Sequence, residues 1–110
     1  MTEAEFGVIG CVLIDNDALN GIWRTLKPEM FSSEFAQDAY KEMLAMYDRN
    51  ESIDPMSLSM VLESHKYTQE QISGLMKSCI TETITSTMVK SYADAVSYTH
   101  LRAHETRGNL

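Results

Sequence analysis

Thr2-Glu3-Ala4-Glu5-Phe6-Gly7-Val8-Ile9-Gly10-Cys11-Val12-Leu13-Ile14-Asp15 decides the fold. Thr2 followed by Glu5 has the S/T-x-x-E form of a capping box, in which side chains satisfy the free backbone donors of a helix start. A helix is therefore predicted from about Glu3 to Ile14. Phe6, Ile9, Leu13 and the adjoining Val12 fall on one side at helical spacing. Gly7 and Gly10 leave a narrow strip on which another helix can approach closely. Two glycines cost this helix about 1 kcal/mol each relative to alanine, so packing must use the space they leave.

Outward from that helix, Asp15-Asn16-Asp17 supplies several caps, and a second helix from about Ala18 to Leu26 is predicted to bury Leu19, Ile22, Trp23 and Leu26. Lys27-Pro28 stops it, because the residue before proline is pushed out of helical geometry, and Pro28-Glu29-Met30-Phe31 should turn Phe31 inward. The third helix, about Ser33 to Asp48, carries the apolar stripe Phe35, Ala39, Met43, Met46 and Tyr47, widened by Tyr40 and Leu44. Asp54-Pro55 is a cap followed by proline at the first helical position. It opens a fourth helix to about Ser64 that should bury Leu58, Val61 and Leu62. Thr68 and Gln71 repeat the capping pattern before a fifth helix bearing Ile72, Leu75, Met76, Cys79 and Ile80. The Thr-rich run Thr81 to Thr87 reads as the connection of a hairpin, since such side chains compete for backbone partners. A sixth helix then carries Met88, Val89, Tyr92, Ala93 and Val96, and should end at about Ala95. The predicted architecture is all-α, a compact bundle of about six helices with a C-terminal helical hairpin.

The chain has 110 residues, enough for one modest core. Its formal net charge is −7, and residues 1–95 hold 15 acidic and 7 basic side chains, a balance of −8. Phosphate backbones are bound mainly by Lys and Arg, so little direct DNA binding is expected. No apolar run approaches the length of about 20 residues that crosses a membrane, and the acidic N-terminus has no signal-peptide pattern; a cytoplasmic setting follows as the expectation. Cys11 and Cys79 are too far apart for C-x-x-C spacing and read as buried free thiols.

A search for catalytic chemistry is negative. No G-x-x-x-x-G-K-[ST] is present to cradle nucleotide phosphates, and no H-E-x-x-H or Cys/His set to bind zinc. His65 is the only histidine of residues 1–95 and reads as a surface or cap residue. His100 and His104 have the i, i+4 spacing of a metal pair, but their sequence context, described below, argues against a site. Asp38, Lys41 and Glu42 read as a solvated helix face, and Gly7-x-x-Gly10 as helix packing with no basic neighbour. Among the eight methionines, Met43 and Met46 belong to the core stripe, leaving Met30, Met56, Met60 and Met88 as soft surface contacts. No catalytic, cofactor-binding or metal residue is expected.

Three segments in order, Glu3 to Asp15, Leu26-Lys27-Pro28-Glu29-Met30-Phe31 and Ile53-Asp54-Pro55-Met56-Ser57-Leu58, resemble the N-terminal domain of DnaB-type replicative DNA helicases over about residues 2–95. The resemblance implies a domain without chemistry of its own, acting in DNA replication and the primosome through protein contacts. The motor that binds ATP and Mg2+ and unwinds DNA in such helicases has no counterpart here. It also implies a homo-oligomer, in which hairpins pair into dimers within a hexamer, and docking of a primase or helicase loader. Mapped here the hairpin is about Gln69 to Ala95, with Leu75, Met76, Ile80, Val89 and Tyr92 expected to line the self-association face. A stand-alone helical interaction module would leave the three segments unexplained. An enzyme with a surface carboxylate site would need carboxylates converging in a pocket.

Residues 96–110 form the second unit of the chain. Val96-Ser97-Tyr98-Thr99-His100-Leu101-Arg102-Ala103-His104-Glu105-Thr106 resembles one translated frame of the adapter used in transposase-made sequencing libraries. It is read as a non-native tail, disordered or a frayed helix. The purified chain is expected to show no ATP turnover and only weak binding of duplex DNA in a fluorescence titration; turnover by a sample free of contaminating ATPase would contradict the reading.

Overall fold

The computed structural model describes the backbone of residues 2–82 and 86–108, and the side chains of residues 2–82 and 87–101. The described residues form five α-helices: α1 (Glu3–Ile14), α2 (Glu34–Asp48), α3 (Pro55–His65), α4 (Gln69–Glu82) and α5 (Val89–Gly108). Short 3-10 segments span Asn16–Gly21, Pro28–Met30 and Ser86–Met88. No strand occurs among the described residues, and the all-α bundle expected from the sequence is the fold.

The axis of the bundle is α1. It is apolar on nearly every side, the pattern of a helix enclosed by others, and Val8, Ile9, Cys11 and Val12 are fully buried. The two arms of the C-terminal hairpin, α4 and α5, both pack against α1. The glycine strip makes the second of these contacts possible. A Cβ built on Gly7 would stand 2.5 Å from Cδ1 of the Tyr92 ring, so α5 lies on α1 at a separation only glycine permits.

Polar side chains fasten the chain that follows α1, some to α1 and some to α2. Asn16 extends from the end of α1 and donates Nδ2–H to Val12 O at 2.9 Å and to Ile53 O at 2.7 Å, while its Oδ1 accepts Ile53 N–H at 2.8 Å. That reciprocal amide pair holds the buried Ile53 in place. It also aligns the next residue, Asp54, which accepts Ser57 N–H at 2.8 Å and starts α3 with Pro55 in its first turn. Such bonds contribute about 1 kcal/mol each in net terms. Leu26, fully buried, accepts the Tyr40 hydroxyl at 2.8 Å, and Phe31 stacks on the Tyr40 ring with centroids 4.8 Å apart. Glu5, only 3% exposed, caps less than it clamps: one carboxylate oxygen accepts both Ser32 N–H (3.3 Å) and Ser32 Oγ–H (3.0 Å), and the other accepts the Thr2 hydroxyl. A buried carboxylate without such donors would be strongly destabilising.

The charged side of α2 is more occupied than a solvated face. Glu34, Asp38 and Glu42 meet Lys66, Tyr67 and His65, three consecutive residues where α3 ends and its connection to α4 begins. The Tyr67 ring packs on Phe35 with centroids 4.4 Å apart.

Three expectations are corrected. The second helix, expected over Ala18 to Leu26, is a 3-10 segment over Asn16–Gly21 followed by turns. The Asn16 side chain is committed to Ile53, and the backbone tightens around it. Leu19, Ile22 and Leu26 are still buried, but Trp23 is 41% exposed and lies under the Arg24 guanidinium, 5.0 Å from its ring. The last helix does not end near Ala95: α5 runs to Gly108, with Ala93 and Val96 in the core. α4 extends through Thr81 and Glu82, and the remainder of the expected connection at 83–85 lies outside the described residues.

The tight α1–α5 contact sets opposite outcomes for two glycines. Gly7→Ala is expected to lose about 1–3 kcal/mol in urea unfolding, because overpacking against Tyr92 outweighs the ~1 kcal/mol gain in helix propensity. Gly74→Ala in α4, where an added Cβ meets nothing within 4 Å, should gain up to about 1 kcal/mol. Equal shifts for both would contradict the close approach.

Candidate interaction surfaces

The residues expected to line a self-association face divide sharply. Leu75 is buried in the core, held by its position on the side of α4 that faces inward with Ile72 and Cys79. Tyr92 lies over Gly7 and donates its hydroxyl to Glu82 O at 3.3 Å. Met76 and Val89 are partly buried against the core. Ile80 alone of the five stands well out, 69% exposed.

Ile80 does not stand by itself. It borders a groove of about 170 Å³ with Gly10, Leu13 and Ile14 of α1, Pro55 of α3 and Cys79 of α4. Ile14, 58% exposed, comes from the last turn of α1, and Pro55 is placed by the Asn16–Ile53 pair one residue before its cap. The groove is thus assembled from three helices whose mutual positions follow from the packing of α1. No charged side chain lines it. Exposed apolar surface of this kind is characteristic of protein contacts.

Ile14 was not among the expected residues. Its signal lies in the helix pattern, since a helix that is apolar all round and ends at a surface must leave its last apolar side chain outside. Of the methionines, Met43 and Met46 are buried and Met56, Met60 and Met88 exposed as expected, but Met30 is partly buried against the core instead of standing at the surface.

Among the described residues, no three His, Cys, Asp or Glu side chains come together in a way that could hold a metal ion. His65, the last residue of α3, is exposed and within 3.1 Å of Glu42 on α2. His104, the second member of the i, i+4 pair, has a side chain outside the described set. No helix among the described residues is long and apolar enough to cross a membrane.

The family model for the DnaB-like helicase N terminal domain matches residues 1–98. The crystal structure of the N-terminal domain of DnaB helicase from Mycobacterium tuberculosis is similar in fold, with a TM-score of 0.84 at 24% identity. The likeness covers 97% of this chain and 78% of that one. No curated protein sequence matches.

Cys11 and Cys79 are both buried and outside any disulfide, and burial pushes their ionisation up from 9.0 to about 11 and about 12 respectively. The neutral thiols are favoured by the fold, so this contribution to stability is complete below the ordinary value of 9.0 and is lost as pH rises from there toward 11. A thiol-reactive chromogenic disulfide at pH 8 is expected to label neither cysteine in the native chain and both after unfolding in urea. Rapid labelling of native protein would contradict the burial.

Proposed function

Because the chain belongs to the DnaB-like helicase N-terminal domain family, we propose that it is a protein-contact tier of a replicative helicase, pairing with copies of itself and docking a primase or helicase loader. The observation that carries the reading is the uncharged groove among α1, α3 and α4, rimmed by Ile14 and Ile80. An acidic protein of net charge −7 repels its own copies, and contact is favoured where apolar area can be buried without bringing carboxylates together. Ile80 supplies that area from the outer side of the hairpin. Met76 and Val89 add partly buried neighbours, while Leu75 and Tyr92 support the face from within by fixing α4 and α5 on α1.

On this reading the domain itself performs no chemistry. In the full-length helicase, ATP and Mg2+ belong to a motor domain elsewhere in the polypeptide, and dimers joined through these faces build a hexameric ring in the cytoplasm. The acidic surface leaves DNA to other parts of the ring.

Sedimentation velocity over a concentration series tests the face. The parent chain is expected to shift from monomer toward dimer, and Ile80→Asp to remain monomeric with an unchanged thermal melt, since the side chain is already in solvent. Leu75→Asp should instead unfold the domain. Self-association of Ile80→Asp at parental strength would overturn the proposed face.

A further inference from the structure

The self-association face does not use the outer side of α3. There Met56 and Met60, one helical turn apart, are 74% and 65% exposed. Met60 also borders a second groove, of about 420 Å³, with Met46, Glu51, Ser52, Ser57 and Val61. One wall of it is Met46 near the end of α2, and the other is α3 itself.

We infer that this methionine face of α3 is a docking site for an amphipathic helix of another protein, one with an apolar stripe flanked by Lys or Arg. Two observations select that occupant. Unbranched, polarizable methionines adapt to differently shaped apolar side chains, which suits a helix laid into a groove. The charges beside them that are not in an ion pair have one sign. No Lys or Arg occurs between residues 51 and 65, where Asp54 and Glu63 are the acidic residues apart from Glu51. Glu63 lies one turn beyond Met60 and is exposed. Arg49 is engaged by Glu51 at 2.8 Å, and Lys66 by Glu34 on α2. An incoming cation therefore finds an acidic rim beside an apolar floor, and an acidic helix is repelled.

The probe is a short synthetic helix with leucines on one face and lysines on the other, titrated into the whole chain labelled with carbon-13 at the methionine methyls. The Met46, Met56 and Met60 methyl signals are expected to shift together and saturably, while Met88 and Met30 stay in place. Replacing the lysines of the peptide by glutamate should abolish the shifts. Met56→Gln and Met60→Gln, which alter side chains already in solvent, should each weaken binding about tenfold, the loss expected when one buried methionine contact is removed. Shifts equal for the lysine and glutamate peptides would overturn the charge argument. Peptide binding that leaves the Met56 and Met60 methyls unmoved would place the peptide elsewhere on the acidic surface and overturn the site. Shifts of the same methyls with protein concentration alone, without peptide, would assign the face to a second copy of the chain instead.

Discussion

The enclosure of α1 is the constraint from which the other features follow. A helix apolar on nearly all sides must be covered on nearly all sides, and here α4 and α5 supply most of the cover. Glycine at position 7 lets the Tyr92 ring lie against the α1 backbone. The space is used by an aromatic side chain of another helix, which offsets the low helix propensity of glycine at that position. Burial is strong but has no direction, and directional bonds from Glu5 and Asn16 at the two ends of α1 set where the flanking chain attaches.

This arrangement gives the three family segments a physical meaning. The Leu26 to Phe31 segment joins the core through a carbonyl bonded to Tyr40 and a ring stacked on it, and the Ser32 that follows is held by Glu5. In the Ile53 to Leu58 segment, Ile53 is buried and paired with Asn16, Asp54 caps α3, and Pro55 occupies the first turn. Pro55 then reaches the surface beside Ile14 and Ile80. The same bonds that close the core thus assemble the groove proposed for self-association.

The parts legible in the sequence are those set by local rules. Thr68 and Gln71 form the reciprocal capping box their spacing implies, and α2 has its Ser33 cap and its Met43–Met46 stripe where periodicity puts them. What was not legible depends on partners distant in sequence. Asn16 reads as one of several caps until Ile53, 37 residues away, claims it; with that commitment the expected second helix becomes a 3-10 segment and Trp23 turns outward. Glu5 reads as a capping residue, and only the return of the chain at Ser32 reveals a buried clamp. On α4, Leu75 and Ile80 are both apolar and both fit a helix pattern, yet they face opposite ways because α1 covers one side only. Of the residues expected at the face, Ile80 reaches solvent and Leu75 does not, while Ile14, which was not among them, is exposed beside Ile80.

Because the enclosure of α1 is the claim on which the surface assignments rest, amide hydrogen exchange of the native chain, resolved by residue, tests it most directly. The amides of residues 8–12 are predicted to exchange last, and only through global unfolding, so that their exchange free energy equals the unfolding free energy measured in urea. Exchange of those amides through a lower-energy local opening, with α2 remaining protected, would show that α1 is not the element around which the domain is built.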